Sequence, residues 1–148
     1  MTAQPVRVFE ERHIEPALSL YRRCPGVGLS VGDSAPELAR FLARNPGCSA
    51  VAETPDQALL GAVLCGHDGR RGFLYHLAVD PSSRGQGLGR ALVAHSAAAL
   101  CHAGISRLSV HVFADNAAGA RFWAKLGWHT RADLSVLQLE LTANRSLT

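Results

Sequence analysis

The sequence predicts an α/β (α+β) fold, in which a mixed, mostly antiparallel sheet of six to seven strands carries about four helices. Strand-like and helix-like hydrophobic periods follow one another in the order β-α-α-β-β-β-α-β-α-β. Three of the strand-like runs are consecutive and separated only by turn sequences, which indicates antiparallel hairpins. A strand, a helix and a strand then alternate, which indicates a parallel crossover with helices on the sheet faces.

Length and composition agree with one globular domain over residues 1–148. The chain has 148 residues, of which 47% are hydrophobic and 18% are charged, so it can bury a core of its own. The net charge of +3 permits an anionic ligand without requiring a nucleic acid. Because the sequence contains no run of five basic residues and no interleaving of basic with aromatic residues, we expect no nucleic-acid partner.

The cysteines and the N-terminal segment predict a cytoplasmic protein. Cys24, Cys48, Cys65 and Cys101 form no CxxC pair and match no zinc-ligand spacing, so we expect reduced thiols and no metal site. The first residues, MTAQPVRVFEERH, carry charges early and lack the apolar core of a signal peptide. No segment reaches the roughly 18 apolar residues of a membrane-spanning helix, so we expect no membrane association.

The first half of the chain predicts one strand, two helices and a hairpin. Val6 to Phe9 alternates as a strand does, and Pro16 stands near the start of a helix with apolar residues on one face. Ser34 and Glu37 form a capping box, which starts a second helix that runs to about Asn45. The runs CSAVAE and LLGAVLCGH flank the turn sequence TPDQ and predict a hairpin.

The second half predicts three more strands and two more helices. The longer helix is followed by Gly104, a suitable residue for the position after a helix end. We expect the strands before and after this helix to be parallel neighbours. The elements are a strand from Gly72 to Val79, a helix from about Leu88 to Ala103, a strand from Leu108 to Phe113, a helix in NAAGARFWAKLG and a last alternating strand from Ser135 to Leu141.

The stretch RGQGLGR, from Arg84 to Arg90, joins a predicted strand to a predicted helix. Unpaired N–H groups and partial positive charge at a helix N-terminus attract anions, and glycines let a backbone approach them closely. The two arginines add charges that can pair with phosphate oxygens. The stretch lacks the GKS or GKT of a P-loop, and its GxGxG spacing differs from the dinucleotide-binding GxGxxG. It therefore predicts a phosphate-binding loop of another kind.

These residues resemble two signatures of the Gcn5-related N-acetyltransferase (GNAT) family. The segment from Arg84 to Gly89 matches that family's (Q/R)xxGx(G/A) pattern at every fixed position, within the longer run LAVDPSSRGQGLGRAL. Downstream, DNAAGARFWAKLGW is similar to the second signature, in which an asparagine begins a helix. The order of elements agrees as well, so the resemblance covers most of the chain and implies a GNAT-like fold.

The resemblance implies that acetyl-CoA is the co-substrate. Its pyrophosphate would lie on backbone N–H groups of the glycine loop, and its pantetheine arm would pair like an extra strand in a gap between the two parallel strands. Asn116 matches the family asparagine that contacts the cofactor, and it also suits a helix N-cap. The residues implied in cofactor binding are Leu77, Ala78, Val79, Arg84, Gly85, Gln86, Gly87, Leu88, Gly89, Arg90, Asn116, Phe122 and Trp123.

The sequence departs from the family pattern at the general acid. Many GNAT proteins carry a tyrosine that protonates the leaving CoA thiolate, and Trp123 stands at the matching position. An indole N–H donates a hydrogen bond but is not a usable acid. We therefore expect Trp123 to pack on the cofactor arm, and the acid to come from elsewhere or to be dispensable.

His111 and Tyr75 are the candidates for proton transfer. His111 lies five residues before Asn116, where some N-terminal protein acetyltransferases of the family carry their glutamate base, and a histidine can serve near neutral pH. Tyr75 shares a strand face with Phe73, on the side where relatives carry catalytic groups, so we expect it to orient the substrate or to supply the acid. Because neighbours on a strand point to opposite faces, His76 is expected to play a structural role against the helix layer.

The sequence leaves the amine acceptor open. The loop CPGVGLSVGDS between the first two helices is rich in glycine, and Asp33, Glu53 and Asp115 are the acids available to a cationic amine. We expect an acyltransferase that acetylates a primary amine of a small molecule or a protein N-terminus by direct attack in a ternary complex. The alternative is a non-catalytic acyl-CoA-binding or regulatory protein on the same fold. An exposed edge on the final strand favours a homodimer.

Overall fold

The computed structural model describes residues 5–141, which form four helices and a five-stranded sheet. Short 3-10 turns at Glu11–His13 and Pro81–Ser83 precede the first and third helices. The strands are β1 (Val6–Val8), β2 (Ala50–Glu53), β3 (Leu59–His67), β4 (Gly72–Val79) and β5 (Leu108–Val110). The helices are α1 (Ile14–Arg23), α2 (Ala35–Arg44), α3 (Leu88–His102) and α4 (Ala117–Lys125).

The sheet has the mixed, mostly antiparallel character that the sequence predicts. Its strand order is β1-β2-β3-β4-β5, so each strand lies beside its neighbour in sequence. The first four strands pair antiparallel, and β4 pairs parallel with β5. The predicted fold class and the predicted parallel crossover through α3 are therefore confirmed.

The predicted last strand differs from the structure. Residues Ser135 to Leu141 form no strand, and the sheet has five strands within residues 5–141 instead of the expected six to seven. Leu137 is 88% exposed and Leu141 is 78% exposed. An alternating sequence becomes a strand only when its backbone has hydrogen-bonding partners, and no described strand pairs with this segment. Alternation alone therefore predicted an element that this part of the chain lacks.

Two hydrophobic clusters cover the two faces of the sheet. On one face α1 and α2 pack against the strands, with Leu20 and Tyr21 almost fully buried. On the other face α3 contributes Leu92 and Leu100, and α4 contributes Trp123. Each helix buries an apolar stripe, as the 3.6-residue period requires. No helix in the described chain is both long and apolar enough to cross a membrane.

Candidate functional site

In the stretch from Arg84 to Arg90, the first four residues form an exposed turn and Leu88 begins α3. Gly85 and Gly87 have φ of +80° and +81°, in the left-handed region that side chains rarely adopt. Gly87 is the N-cap residue, and no side chain of the described residues caps this helix. The first N–H groups of α3 are therefore accessible to an anion.

Asp80 fixes the entry to this turn at the end of β4. Its Oδ1 accepts hydrogen bonds from the backbone N–H and the hydroxyl of Ser82, at 3.0 and 2.6 Å. Its Oδ2 accepts a hydrogen bond from Arg23, the last residue of α1, at 2.9 Å. The hydrogen bonds from Ser82, followed by that from Arg23, lower the pKa of the Asp80 carboxyl to about 2. The turn is thus tied to α1 by a group that is ionised at neutral pH.

β4 and β5 form a fork beside this turn. Their pairing ends at Leu74 and Val110, whereas β4 continues to Val79. Beyond Leu74 no described strand pairs with the β5 side of β4, so the backbone there is open to a ligand. At the outer end of this open edge, the carbonyl of Val79 accepts a hydrogen bond from Nε of Arg84 at 3.3 Å. The open edge and the glycine turn are therefore continuous.

A bulge in β4 redirects its side chains just beyond the fork. Ala78 pairs with Ala62 and Tyr75 pairs with Leu64. Between these two pairs β4 advances by three residues and β3 by two, so β4 contains one extra residue. His76 lies in this bulge with φ of +51°, an unusual value for a residue with a side chain. The expectation that Tyr75 and His76 point to opposite faces is wrong, because the bulge interrupts the alternation. Both rings contact the helices that cover one face, α2 and α1 respectively.

His76 is held by groups from α1 and from the loop between α1 and α2. Its Nε2 lies 2.9 Å from Oδ1 of Asp33, whose Oδ2 accepts the backbone N–H of Ser30 at 2.8 Å. The ring of Tyr21 packs against the imidazole, with the centroids 5.4 Å apart. Burial, with Asp33 and Cys24 nearby, raises the pKa of Tyr21. Within residues 5–141, its buried hydroxyl has no hydrogen-bond partner.

The loop between α1 and α2 also closes a pocket against the loop between β5 and α4. The pocket has a volume of about 470 Å³ and is lined by Pro25, Gly26, Phe113, Asp115 and Asn116. Gly26 has φ of +91°, and a Cβ atom there would lie 3.0 Å from Nδ2 of Asn116. Oδ1 of Asn116 accepts the N–H of Gly119 at 2.9 Å, so this residue is the N-cap of α4 as well as a pocket wall.

Comparison of the chain with known proteins identifies the family to which this fork, glycine turn and pocket belong. Residues 14–128 match the family model described as the acetyltransferase (GNAT) family. The protein belongs to the GNAT family. A curated acetyltransferase of Photorhabdus laumondii subsp. laumondii is 32% identical over 136 residues, which cover 89% of this chain and 91% of that protein. The chain is therefore an acyltransferase of the N-acetyltransferase type.

Solved GNAT structures share the fold at low sequence identity. A structure of AAC(6')-Iy in complex with the bisubstrate analogue CoA-S-monomethyl-acetylneamine has a TM-score of 0.73 at 16% identity, covering 95% of this chain and 100% of that one. The ribosomal-protein-S18-alanine N-acetyltransferase from Escherichia coli has a TM-score of 0.65 at 23% identity. The match covers 84% of this chain and 77% of that one. At these identities the likeness concerns the fold of the GNAT domain.

Tyr75 lies on the sheet face that α1 and α2 cover. Its ring stacks beside Phe73 with centroids 6.1 Å apart and meets Phe41 of α2 edge-on at 6.0 Å. Its side chain is 41% exposed. Burial of the rest of the ring, with Cys65 nearby, raises the pKa of the hydroxyl. At neutral pH the hydroxyl therefore carries a proton that it can donate.

His111 lies just after β5, which ends earlier than the sequence predicts. Its ring is exposed and meets Phe73 edge-on, with centroids 6.1 Å apart. Among the described residues no carboxylate lies within ion-pair distance of it. The role of His111 as the base stays a prediction. Among the described residues no acid orients its imidazole.

Trp123 is a core residue, 8% exposed. Its ring centroid lies 4.6 Å from that of Trp128 and 5.0 Å from that of Phe122. Gly89 lets α3 approach α4, because a Cβ atom there would lie 3.2 Å from the ring of Phe122. The expected contacts of Phe122 and Trp123 with the cofactor stay predictions, and the structure gives Gly89 and Trp123 a packing role in addition.

The three acids that the sequence offered to an amine have different surroundings. Asp115 lines the pocket, and Asp33 contacts His76. Glu53 is 3% exposed and accepts hydrogen bonds from two guanidinium nitrogens of Arg12, at 3.0 and 3.3 Å. The expectation that Glu53 is available to an amine is wrong, because Arg12 and the nearby His13 already occupy its carboxylate.

The sequence-based predictions included neither the contact of His76 with Asp33 nor the contribution of Phe113 to the pocket. The bulge that turns His76 toward Asp33 has no local sequence signal, because histidine has no preference for a positive φ comparable with that of glycine. Phe113 did have a signal, since it is a large apolar residue at the end of a predicted strand, two residues before the second family signature.

Proposed function

We propose that this protein transfers the acetyl group of acetyl-CoA to a primary amine by direct attack within a ternary complex. The observation that carries this proposal is the fork between β4 and β5, with the glycine turn at its outer end and the pocket beside it. The fork offers an extended ligand the backbone partners that a sixth strand would use. The amine would enter on the side of the loop between α1 and α2.

The residues of the fork fit acetyl-CoA as a co-substrate. The uncapped N-terminus of α3 and the two left-handed glycines suit a pyrophosphate, and the exposed Arg84 and Arg90 can approach it. The open edge of β4 suits the amides of the pantetheine arm. We assign cofactor binding to Leu77, Ala78, Val79, Arg84, Gly85, Gln86, Gly87, Leu88, Gly89, Arg90, Asn116, Phe122 and Trp123.

The acceptor is a primary amine of a small molecule or of a protein N-terminus. Asp115 in the pocket wall would attract a cationic amine, and Gly26 keeps the pocket clear of a side chain. Tyr75 would protonate the leaving thiolate or orient the amine, and the family resemblance makes His111 one candidate for the base. Both kinds of acceptor have precedent among the structural neighbours, in the complex of AAC(6')-Iy with an acetylneamine analogue and in the ribosomal-protein-S18-alanine N-acetyltransferase.

We also infer a cytoplasmic location and a homodimer. Cys24, Cys48, Cys65 and Cys101 are free thiols, which supports a reducing compartment. The exposed apolar residues between Leu134 and Leu141 alternate as a strand does, and the outer edge of β5 has no partner strand among the described residues. These two features suit each other in a second copy of the same chain.

The first test is the melting temperature with and without acetyl-CoA, with ATP and NAD as control ligands. A ligand present at 100 times its Kd stabilises a protein by about 2.7 kcal/mol, which raises Tm by about 5–10 °C for a domain of this size. A shift with acetyl-CoA alone supports the proposal, and release of CoA thiol with spermidine or a free-N-terminus peptide then reports turnover. No shift at millimolar acetyl-CoA in folded protein would refute acetyl-CoA as the co-substrate.

A further inference from the structure

We propose that His76, held by Asp33, is the general base that accepts the proton of the attacking amine. This inference rests on the proposed acetyl transfer and adds the identity of the proton acceptor. In a regular strand His76 would point to the face opposite Tyr75, and the bulge places both side chains on the same face. Asp33 acts through His76 and is therefore a positioning residue.

The position of His76 along β4 supports this role. Pairing with β5 ends at Leu74, and His76 lies two residues further along the open edge. A CoA arm that starts at the turn from Arg84 to Arg90 and runs along β4 toward β5 brings its acyl end to the closed end of the fork. The closed end of the fork is where Tyr75 and His76 lie.

The backbone of His76 supports a functional role as well. A φ of +51° is costly for a residue with a Cβ atom, and such conformations persist where the surrounding structure holds them and are concentrated at functional sites. The contacts that hold this one come from other elements, namely the carboxylate of Asp33 and the ring of Tyr21. The strained residue is thus fixed to the loop that borders the acceptor pocket.

The contact with Asp33 determines which ring nitrogen is basic. A carboxylate oxygen can only accept, so we assign the proton to Nε2 of His76, and Nδ1 then presents a lone pair. No residue in the described range 5–141 hydrogen-bonds Nδ1. A nucleophile, a base and an acid that orients the base form a recurrent catalytic arrangement, here with the amine as nucleophile.

The contact with Asp33 places a carboxylate beside the positive charge that the reaction would create on the imidazole of His76. The ionisable groups nearby are Asp33 from the loop, Tyr21 from α1, Cys24 directly after α1, and Tyr75 from the same strand. Asp33 is the one carboxylate among these four groups. The side chains of His76 and Asp33 are 17% and 14% exposed, so little water screens the pair, yet the imidazole remains accessible.

The proposed step balances as follows. The amine nitrogen attacks the thioester carbonyl carbon, the N–C bond forms, and the C–S bond breaks with its electron pair leaving on sulfur. Nδ1 of His76 takes one proton from the amine nitrogen, and the thiolate regains a proton from Tyr75 or from solvent. The products are the acetamide and CoA thiol, and His76 then returns its proton to Tyr75 or to solvent.

Chemical modification tests this position without any acceptor. Diethylpyrocarbonate acylates neutral, accessible imidazoles, and peptide mapping by mass spectrometry reads His76 and His111 separately. We expect His76 to be modified in the free protein and protected at least fivefold by acetyl-CoA, but not by adenosine 3′,5′-bisphosphate, which lacks the pantetheine arm. If His76 is unreactive in the free protein, or is as reactive with bound acetyl-CoA as without it, the proposal is wrong.

The melting shift separates this failure from failure of the proposed function. Binding of acetyl-CoA without protection of His76 would refute the role of His76 alone, and protection of His111 instead would identify His111 as the base. Absence of acetyl-CoA binding would refute both proposals together.

Variants then test the chemistry with spermidine and a free-N-terminus peptide as probe acceptors. We expect His76→Gln to lower kcat by about 10²–10⁴-fold while the acetyl-CoA melting shift is retained. His102→Gln, an exposed histidine at the end of α3, is the control and should retain wild-type kcat. Wild-type kcat in His76→Gln would refute the proposal, and the modification experiment decides if that variant does not fold.

Asp33→Ala tests the positioning role. We expect kcat to fall with little change in KM for acetyl-CoA, and we expect the acid limb of the pH profile of kcat to move. Long-range ¹H–¹⁵N spectra of the imidazoles should show the Nε2–H tautomer of His76 in the wild type and a mixture of tautomers in the variant. An unchanged tautomer and an unchanged pH profile would refute the role of Asp33.

Discussion

A Cβ atom added to Gly28 would lie 2.7 Å from Cζ of Phe113, so the loop between α1 and α2 touches the loop between β5 and α4 with no room for a side chain. Gly26, two residues earlier, makes the equivalent close approach to Asn116. These contacts join the segment that carries Asp33 to the helix that begins at Asn116. In consequence, the loops that border the proposed acceptor side and the proposed cofactor side are in direct contact.

Gly28→Val should destabilise the protein through its clash with Phe113. The ring is 58% exposed and can move, so we expect the low end of an overpacking cost, about 1 kcal/mol. Such a loss lowers Tm by about 2–4 °C for a domain of this size. Thermal unfolding of Gly28→Val, Phe113→Ala and the double variant forms the test. A double variant that loses the sum of both single effects would show that the two residues do not interact.

Gly87→Ala should weaken acetyl-CoA binding beyond its effect on stability. Gly87 has φ of +81° at the N-cap of α3, and Gly104 has φ of +85° after the other end of the same helix. An alanine in either place costs about 1–2 kcal/mol of backbone strain. We expect both variants to lose similar stability, and only Gly87→Ala to lose at least tenfold in acetyl-CoA affinity by calorimetry. Equal affinities in the two variants would argue against the turn as the pyrophosphate site.

Local elements were the most predictable part of this fold. The N-cap at Ser34 and the glycines of the turn after β4 appear where the sequence predicts them, because caps and left-handed glycines depend on a few adjacent residues. The reciprocal bond from the Glu37 side chain, which a full capping box requires, is not formed. The helix α3 begins at Leu88, as the sequence predicts. The glycine turn of the candidate site could therefore be predicted from the sequence.

Contacts between distant residues were not predictable from local patterns. Asp33 and His76 are 43 positions apart, and their contact depends on a bulge that the alternation of β4 conceals. Glu53 is paired with Arg12, 41 positions away, which removes it from the set of acids open to a substrate. Sequence periodicity gives the facing direction of a side chain only while the strand stays regular.

Glu53→Gln should make stability less dependent on pH in the acid range. The hydrogen bond from Arg12 lowers the pKa of Glu53 below its ordinary value, so the folded state favours the carboxylate. This stabilisation is present above the unfolded-state pKa of about 4.3 and is lost as pH falls through the lower folded-state pKa. Urea unfolding at pH 5.5 should show a wild type more stable than Glu53→Gln by about 1–3 kcal/mol.

The difference between these two proteins should narrow as the pH falls from 5.5 to 3.5, because protonation removes the charge of Glu53 in the wild type. The other carboxylates are common to both proteins, so their titration cancels in the difference. A gap that stays constant over this range would mean that the charge of Glu53 contributes nothing to folding and that the loss in Glu53→Gln comes from packing or from its hydrogen bonds.

The last prediction concerns the exposed segment before Leu141 and a second copy of this chain. Leu137, Leu139 and Leu141 are 88%, 53% and 78% exposed, and they alternate so that a paired strand would place them on one face. We expect sedimentation equilibrium to give twice the mass of one chain, and Leu137→Ser with Leu139→Ser to give a single-chain mass at unchanged acetyl-CoA melting shift. Cys101→Ser, which removes the exposed thiol, controls for disulfide-linked pairs and should remain dimeric. A wild type that sediments as a single chain at 100 µM would contradict the homodimer, because a specific interface that is used in a cell holds at that concentration.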